Sequence, residues 1–72
     1  MNEQERLKNE LLEKLKTISN DEEFLLSVLN AARHMEDRKE IIRFIDKGNK
    51  TTYENIILLA LTLYENREEK SI

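Results

Sequence analysis

The chain has 72 residues, a net charge of −3, no cysteine, no proline and a single glycine. This composition excludes a disulfide framework and a cysteine-based metal site, and it leaves too few turn-forming residues for an all-β fold. Apolar residues make up 39% of the chain and are clustered, so the sequence predicts one small all-α domain over residues 1–72. Because the chain opens without a basic-then-apolar leader, we expect a cytoplasmic protein.

The first helix is predicted over residues 3–18. Asn2 and Glu5 form a capping box at its start, in which the Asn2 side chain accepts from a free backbone amide. A narrow apolar stripe recurs at helical spacing along this otherwise charged helix, and it consists of Leu7, Leu11, Leu15 and Ile18. The stripe predicts that this helix buries one edge and exposes the rest.

A second helix is predicted over residues 21–35, with Asn20 as its N-cap and three acidic residues in its first turn. Its broad apolar face comprises Phe24, Leu25, Val28, Ala31, Ala32 and Met35. The next apolar positions, from Ile41 onwards, lie roughly 140° out of phase with that face. The pattern therefore predicts a break between Met35 and Asp37.

The third helix is predicted over residues 37–47, and it ends at Gly48 in the left-handed C-cap conformation that glycine adopts with least strain. One face of this helix carries basic residues at four-residue spacing, namely Lys39, Arg43 and Lys47. This weak basic face is the best candidate for contact with phosphate or with an acidic partner. Glu36 and Glu40 share the face and partly neutralise it.

Thr51 and Glu54 form a further capping box, which opens the last helix over residues 51–67. Residues 56–64 contain eight apolar residues in nine, so this helix is apolar on every side. We expect residues 68–72 to fray. Four helices joined by short turns predict a small four-helix bundle or an irregular helical domain.

His34 is the only histidine and the first residue to examine for chemistry. A general base needs a fixed partner and a pocket, and a zinc site needs three or four ligands; the sequence shows neither pattern. With one glycine the chain also has no phosphate-binding loop and no dinucleotide fingerprint. We therefore expect His34 to be a half-exposed packing residue, and we predict no enzyme activity, no cofactor and no metal.

Residues 36–66 have the spacing of a helix-turn-helix, but the second helix of that unit is too apolar to lie in a DNA groove. Nucleic acid is therefore not the expected partner, and no segment is long enough for a membrane helix. The sequence predicts a non-catalytic protein–protein interaction module, such as a small regulator, an inhibitor or an accessory protein of a bacterial mobile element. The alternative is a DNA-associated dimeric regulator that uses the weak basic face.

An all-apolar last helix needs more cover than three amphipathic helices of so short a chain supply. We therefore predict a homodimer across a two-fold axis, or a partner helix docked on the same patch. The residues predicted to make this contact are Leu58, Leu59, Thr62 and Leu63. In the alternative arrangement Leu58 and Leu59 face the first helix within one chain, and Leu63 or Tyr64 is left outside.

Overall fold

Four α-helices make up nearly all of the chain that the computed structural model describes, which is residues 2–47 and 52–70, with side chains up to residue 67. The helices are α1 (Glu3–Lys16), α2 (Glu22–Ala31), α3 (Met35–Asp46) and α4 (Tyr53–Lys70). The predicted all-α fold is confirmed. The predicted C-cap at Gly48 and the cap at Thr51 lie outside the described residues.

Side chains that accept from free backbone amides set the starts of α1 and α2. The Asn2 side-chain oxygen accepts from the Glu5 amide at 2.8 Å, as the sequence predicts. The prediction of Asn20 as the cap of α2 is wrong. The cap is Asp21, whose carboxylate accepts from the Glu23 amide at 3.1 Å.

The break between α2 and α3 falls at residues 32–34, slightly before the predicted position. Ala32 leaves the helical region, with φ −98° and ψ 77°. The Arg33 Nε donates to the Asn30 carbonyl at 3.0 Å. The Arg38 Nε donates to the Ala32 carbonyl at 2.7 Å. These bonds satisfy carbonyls that lose their helical partners, so the chain turns here although the apolar pattern of α2 continues.

The ends of α1 and α4 also differ from prediction. α1 ends at Lys16, two residues early, and the Thr17 hydroxyl donates to the Lys14 carbonyl at 2.6 Å. A hydroxyl that bonds to the backbone in this way competes with the helical pattern. α4 continues to Lys70, beyond its predicted end at residue 67.

The helices stack as two parallel pairs, α1 with α3 and α2 with α4. The Lys14 ammonium lies 2.6 Å from the Asp46 carboxylate near the C-terminal ends of α1 and α3. Near the N-terminal ends of α2 and α4, the rings of Phe24 and Tyr53 meet edge to face with centroids 5.9 Å apart. In the described residues no Cα atoms within 8 Å join α2 to α3 or α1 to α4. The molecule is a small all-α bundle, as predicted, but the most extensive contacts join α1 to α3 and α2 to α4, whereas consecutive helices pack together in an up-and-down bundle.

The core lies between the two pairs and takes side chains from all four helices. Its buried members are Leu7, Leu11, Leu15, Phe24, Leu25, Val28, Ala32, Ile41, Ile42, Ile56 and Ala60. The predicted apolar faces of the first three helices supply most of them. Among the described side chains of α4, up to residue 67, only Ile56 and Ala60 belong to the buried set. Most of the apolar side chains of α4 therefore lie around the core and not in it.

Candidate interaction surface

In the described part of the chain, the large apolar side chains that are exposed lie in one half of the molecule. In the described part of the chain, the large exposed hydrophobic residues belong to α2 or α4, and they are Leu26, Tyr53, Leu58, Leu61 and Tyr64. Three of them follow one another on α4, with exposed fractions of 65% for Leu58, 47% for Leu61 and 42% for Tyr64. An apolar surface that continues over consecutive helical turns is typical of a contact site.

One face of α4 is apolar in its middle and acidic at both ends. At 100° per residue, Glu54, Leu58, Leu61 and Glu65 lie within about 60° of one another. All four side chains are exposed, and we call this surface the outer α4 face. Thr62 lies beside it, and its hydroxyl donates to the Leu58 carbonyl at 2.8 Å. The Thr62 hydroxyl is therefore hydrogen-bonded within the helix. The centre of the outer α4 face is mostly apolar.

The four predicted contact residues fall into two groups. Leu58 and Thr62 are exposed. Leu59 and Leu63 are partly buried and pack against the core. Leu61, which is not among the predicted contact residues, is exposed as well. The surface open to a partner is therefore rotated about α4 from the predicted one and shares Leu58 and Thr62 with it.

The alternative arrangement within one chain is wrong for Leu58. It places Leu58 and Leu59 against the first helix, but Leu58 is 65% exposed, and in the described residues no Cα atoms of α4 and α1 lie within 8 Å of one another. Its other feature, an exposed Tyr64, is observed. The exposed leucines are thus left without a covering helix in the described part of the chain.

An open groove runs between α2 and α4, beside the outer α4 face. Its walls are Ser27 and Ala31 on α2 and Leu61 and Tyr64 on α4. The groove exists because the α2 wall carries small side chains while the α4 wall carries large ones. We call it the α2–α4 groove.

The two ends of the α2–α4 groove carry opposite charge. Arg33 lies at the end where α2 stops, near Arg67, which is paired with Asp37. Glu23 and Glu54 lie in the first turns of α2 and α4, at the other end, and both are exposed. A partner that lies along the groove therefore meets acid at one end and base at the other.

A buried carboxylate connects the start of α3 to the later turns of α4. Asp37 is only 5% exposed, and it accepts a hydrogen bond from the Arg67 Nε at 2.7 Å. The bond raises the pKa of Arg67. Because a buried carboxylate is costly unless it is paired, this contact fixes the position of α4 at the basic end of the groove.

The hydrophobic pattern places Asp37 at the predicted break after Met35 and gives no indication of this pair. The helical spacing of Asp37 and Arg67 does indicate that each faces the interior. Asp37 precedes the buried Ile41 by four residues, and Arg67 follows the buried Ala60 by seven. Each residue therefore lies on the buried stripe of its own helix. Sequence alone gives no reason to join two positions that are 30 residues apart.

His34 is exposed at the N-cap position of α3, and its side chain makes no capping hydrogen bond. The polar residues within one helical turn of it are bonded elsewhere. Asp37 accepts from Arg67, and Arg38 donates to a backbone carbonyl. Within residues 2–47 and 52–67, no group of three or more metal-ligating side chains could hold a metal ion.

The predicted basic face is partly neutralised by its own helix. The Lys39 ammonium lies 3.7 Å from a Glu36 oxygen, and an Arg43 nitrogen lies 2.8 Å from a Glu40 oxygen. Lys47 is exposed at the C-cap of α3. Two of the three charges on this face therefore meet an acid three residues earlier.

No known protein provides information on the function of this chain. No protein-family model, no curated protein and no solved structure matches the chain. Among the helices described, none combines the length and the apolar character needed to cross a membrane. What the protein binds therefore has to be inferred from its own surface.

Proposed function

We propose that this chain is a non-catalytic protein–protein interaction module that forms a homodimer through the exposed apolar side of α4. The observation that carries the proposal is the run of exposed Leu58, Leu61 and Tyr64 beside the α2–α4 groove. Burying one large apolar side chain is worth about 1.5–3 kcal/mol. That is a large fraction of the roughly 5–15 kcal/mol that holds a small domain folded. A second copy supplies a covering surface of the same kind, because a two-fold contact needs only one self-complementary patch.

Size-exclusion chromatography with light scattering tests the proposal. A monomer has a mass of 8.6 kDa, and we expect twice that value at micromolar concentration. Leu58→Glu places a charge at the centre of the contact, so this variant is expected to elute as a monomer. A monomeric wild-type protein, or a dimer that survives Leu58→Glu, contradicts the proposal.

Leu26→Glu is the matched control for that experiment. Leu26 is 53% exposed, so the same substitution removes a comparable apolar side chain from the surface. It lies about 100° or more around α2 from Ser27 and Ala31, which line the groove. We expect Leu26→Glu to keep the mass of the dimer, which separates a specific contact from a general loss of apolar surface.

DNA binding through Lys39, Arg43 and Lys47 is the alternative function, and the ion pairs on α3 weigh against it. Phosphate binding requires basic groups that can release counterions from DNA, and here two of the three already meet acids. An electrophoretic shift with random duplex DNA at about 50 mM salt tests this, because phosphate-driven binding is strong at low salt. We expect no shift.

A further inference from the structure

We infer that the two copies pack antiparallel, groove to groove, with Glu54 of each copy facing Arg33 of the other. The inference rests on the proposed function, since it gives the geometry and the charge pairing of the same contact. It is drawn from the distribution of charge along the α2–α4 groove and from the spacing of residues on α4.

The charge distribution selects the antiparallel orientation. Glu54 is exposed in the first turn of α4. Arg33 is exposed beyond the end of α2, where it borders Leu61 and Tyr64. The bond from its Nε to the Asn30 carbonyl uses one of the several N–H donors of the guanidinium and holds the side chain at the groove. A parallel contact sets acid against acid and base against base, whereas an antiparallel contact sets each against its opposite.

The spacing along α4 fits the same orientation. Ten residues separate Glu54 from Tyr64, which is about 15 Å along a helix. An antiparallel contact that brings Glu54 level with Tyr64 of the second copy has its two-fold axis midway, near residue 59. In this register Leu58 of one copy comes level, within one residue, with Leu61 of the second copy, close to the axis. Arg33, which borders Tyr64, comes level with Glu54 of the second copy.

Charge also decides which surfaces meet. Two outer α4 faces packed directly on one another in this register place Glu54 against Glu65 of the second copy, and like charges repel. If each α4 instead lies toward the groove of the other copy, Arg33 replaces Glu65 as the neighbour of Glu54. A two-fold axis repeats every contact, so this difference counts twice in each dimer.

Two charge-reversed variants, measured alone and mixed, test the inference. Arg33→Glu sets acid against acid, and Glu54→Arg sets base against base, so each homodimer contains two repulsive pairs. We expect each variant alone to raise the dimer Kd about ten-fold. In an equimolar mixture the heterodimer regains two attractive pairs, and its Kd returns to near the wild-type value. Sedimentation equilibrium at several concentrations measures all of these constants.

Glu22→Arg and Lys8→Glu are the matched controls. Glu22 is exposed in the first turn of α2, on the side away from the groove. Lys8 is exposed on α1, and in the described residues no Cα atom of α1 lies within 8 Å of one on α4. We expect either control to change the Kd by no more than about two-fold. Circular dichroism checks that every variant retains its helix content.

Mixing is the decisive measurement. A loss of the Arg33–Asn30 bond or a weaker start of α4 lowers the stability of one variant, and adding the other variant does not repair it. Unchanged dimers in both variants, or a mixture no tighter than its components, overturns the antiparallel pairing and leaves the proposed function intact. A monomeric wild-type protein overturns both.

Discussion

The two helix pairs of this molecule share a parallel arrangement but present different surfaces. The α1–α3 pair places its buried side chains in the core, and the Lys14–Asp46 ion pair joins the two helices near their ends. The α2–α4 pair carries all five large hydrophobic residues that are exposed in the described part of the chain. Burial of the core accounts for the apolar residues of the α1–α3 pair. It does not account for the exposed apolar residues of the α2–α4 pair, so that surface is the candidate functional site.

The difference arises from how many apolar residues each helix supplies. A helix at the surface of a small domain needs only one apolar stripe to hold it in place, and α1 has one such stripe. Residues 56–64 supply eight apolar side chains, of which only Ile56 and Ala60 are fully buried. The exposed Leu58, Leu61 and Tyr64 add little to this core. A partner surface that covered them would convert their apolar area into binding energy.

The largest expected effect separates the core from the outer α4 face. Leu11 on α1 is fully buried, so Leu11→Ala should lower the free energy of unfolding by about 2–5 kcal/mol at any protein concentration. Leu58→Ala should lower it only where the dimer is populated, because association stabilises the folded state by mass action. Urea denaturation at low and high protein concentration measures both. Equal losses for the two variants at low concentration would place Leu58 in the core and remove the distinction between the pairs.

The next effect concerns the contact that joins the two pairs. Asp37 is buried and bonded to Arg67, so Asp37→Ala should lower the free energy of unfolding by about 1–3 kcal/mol. Glu36→Ala is the control, because its side chain is 72% exposed and surface substitutions change stability by about 0.5 kcal/mol or less. Thermal unfolding of the two variants gives the comparison. If they unfold alike, the pairs are held together by apolar packing alone.

The smallest effect concerns the ion pair on the α1–α3 side. The hydrogen bond to Asp46 raises the pKa of Lys14. A raised pKa means that the stabilisation is complete below the unfolded value of about 10.4 and is lost as the pH rises through the folded value. The stability difference between wild type and Lys14→Met should therefore be constant from about pH 7 to pH 9 and should shrink above about pH 10.4.

Lys16→Met is the control for the pH series, because it removes an exposed charge from the end of the same helix. The difference in unfolding free energy between Lys16→Met and wild type should not show the decrease at high pH that is expected for Lys14→Met. A Lys14→Met difference that stays constant up to the folded pKa and beyond would show that the pair contributes no stability to α1 and α3.

Much of the fold follows from the sequence because three of the four helices are amphipathic. The stripe of Leu7, Leu11 and Leu15 is buried as predicted, since one apolar edge leaves only one way to orient a helix. The boundaries near Ala32 depend instead on hydrogen bonds from arginine side chains to backbone carbonyls. The Arg38 bond to the Ala32 carbonyl spans six residues across the break and has no counterpart in the hydrophobic pattern.

The candidate surface is harder to predict for the opposite reason. A helix that is apolar on every side can be rotated about its axis without changing how well its pattern fits, so periodicity did not distinguish Leu59 from Leu61. The contacts with α2 settle the rotation, beginning with the edge-to-face pair of Phe24 and Tyr53. Those contacts join residues far apart in the chain and exist only once the pairs have stacked.

The parallel stacking also has a consequence for how the chain folds. Helical proteins usually fold fast because their contacts are local, but here both main helix pairs join segments roughly 30 residues apart. The chain therefore loses conformational entropy when it closes long loops. The contacts between α1 and α3, and between α2 and α4, offset this loss only after the loops have closed. Folding should be slower than for an up-and-down bundle of equal length. Neither half of the sequence should be stable when it is expressed alone, since each half holds only one member of each pair.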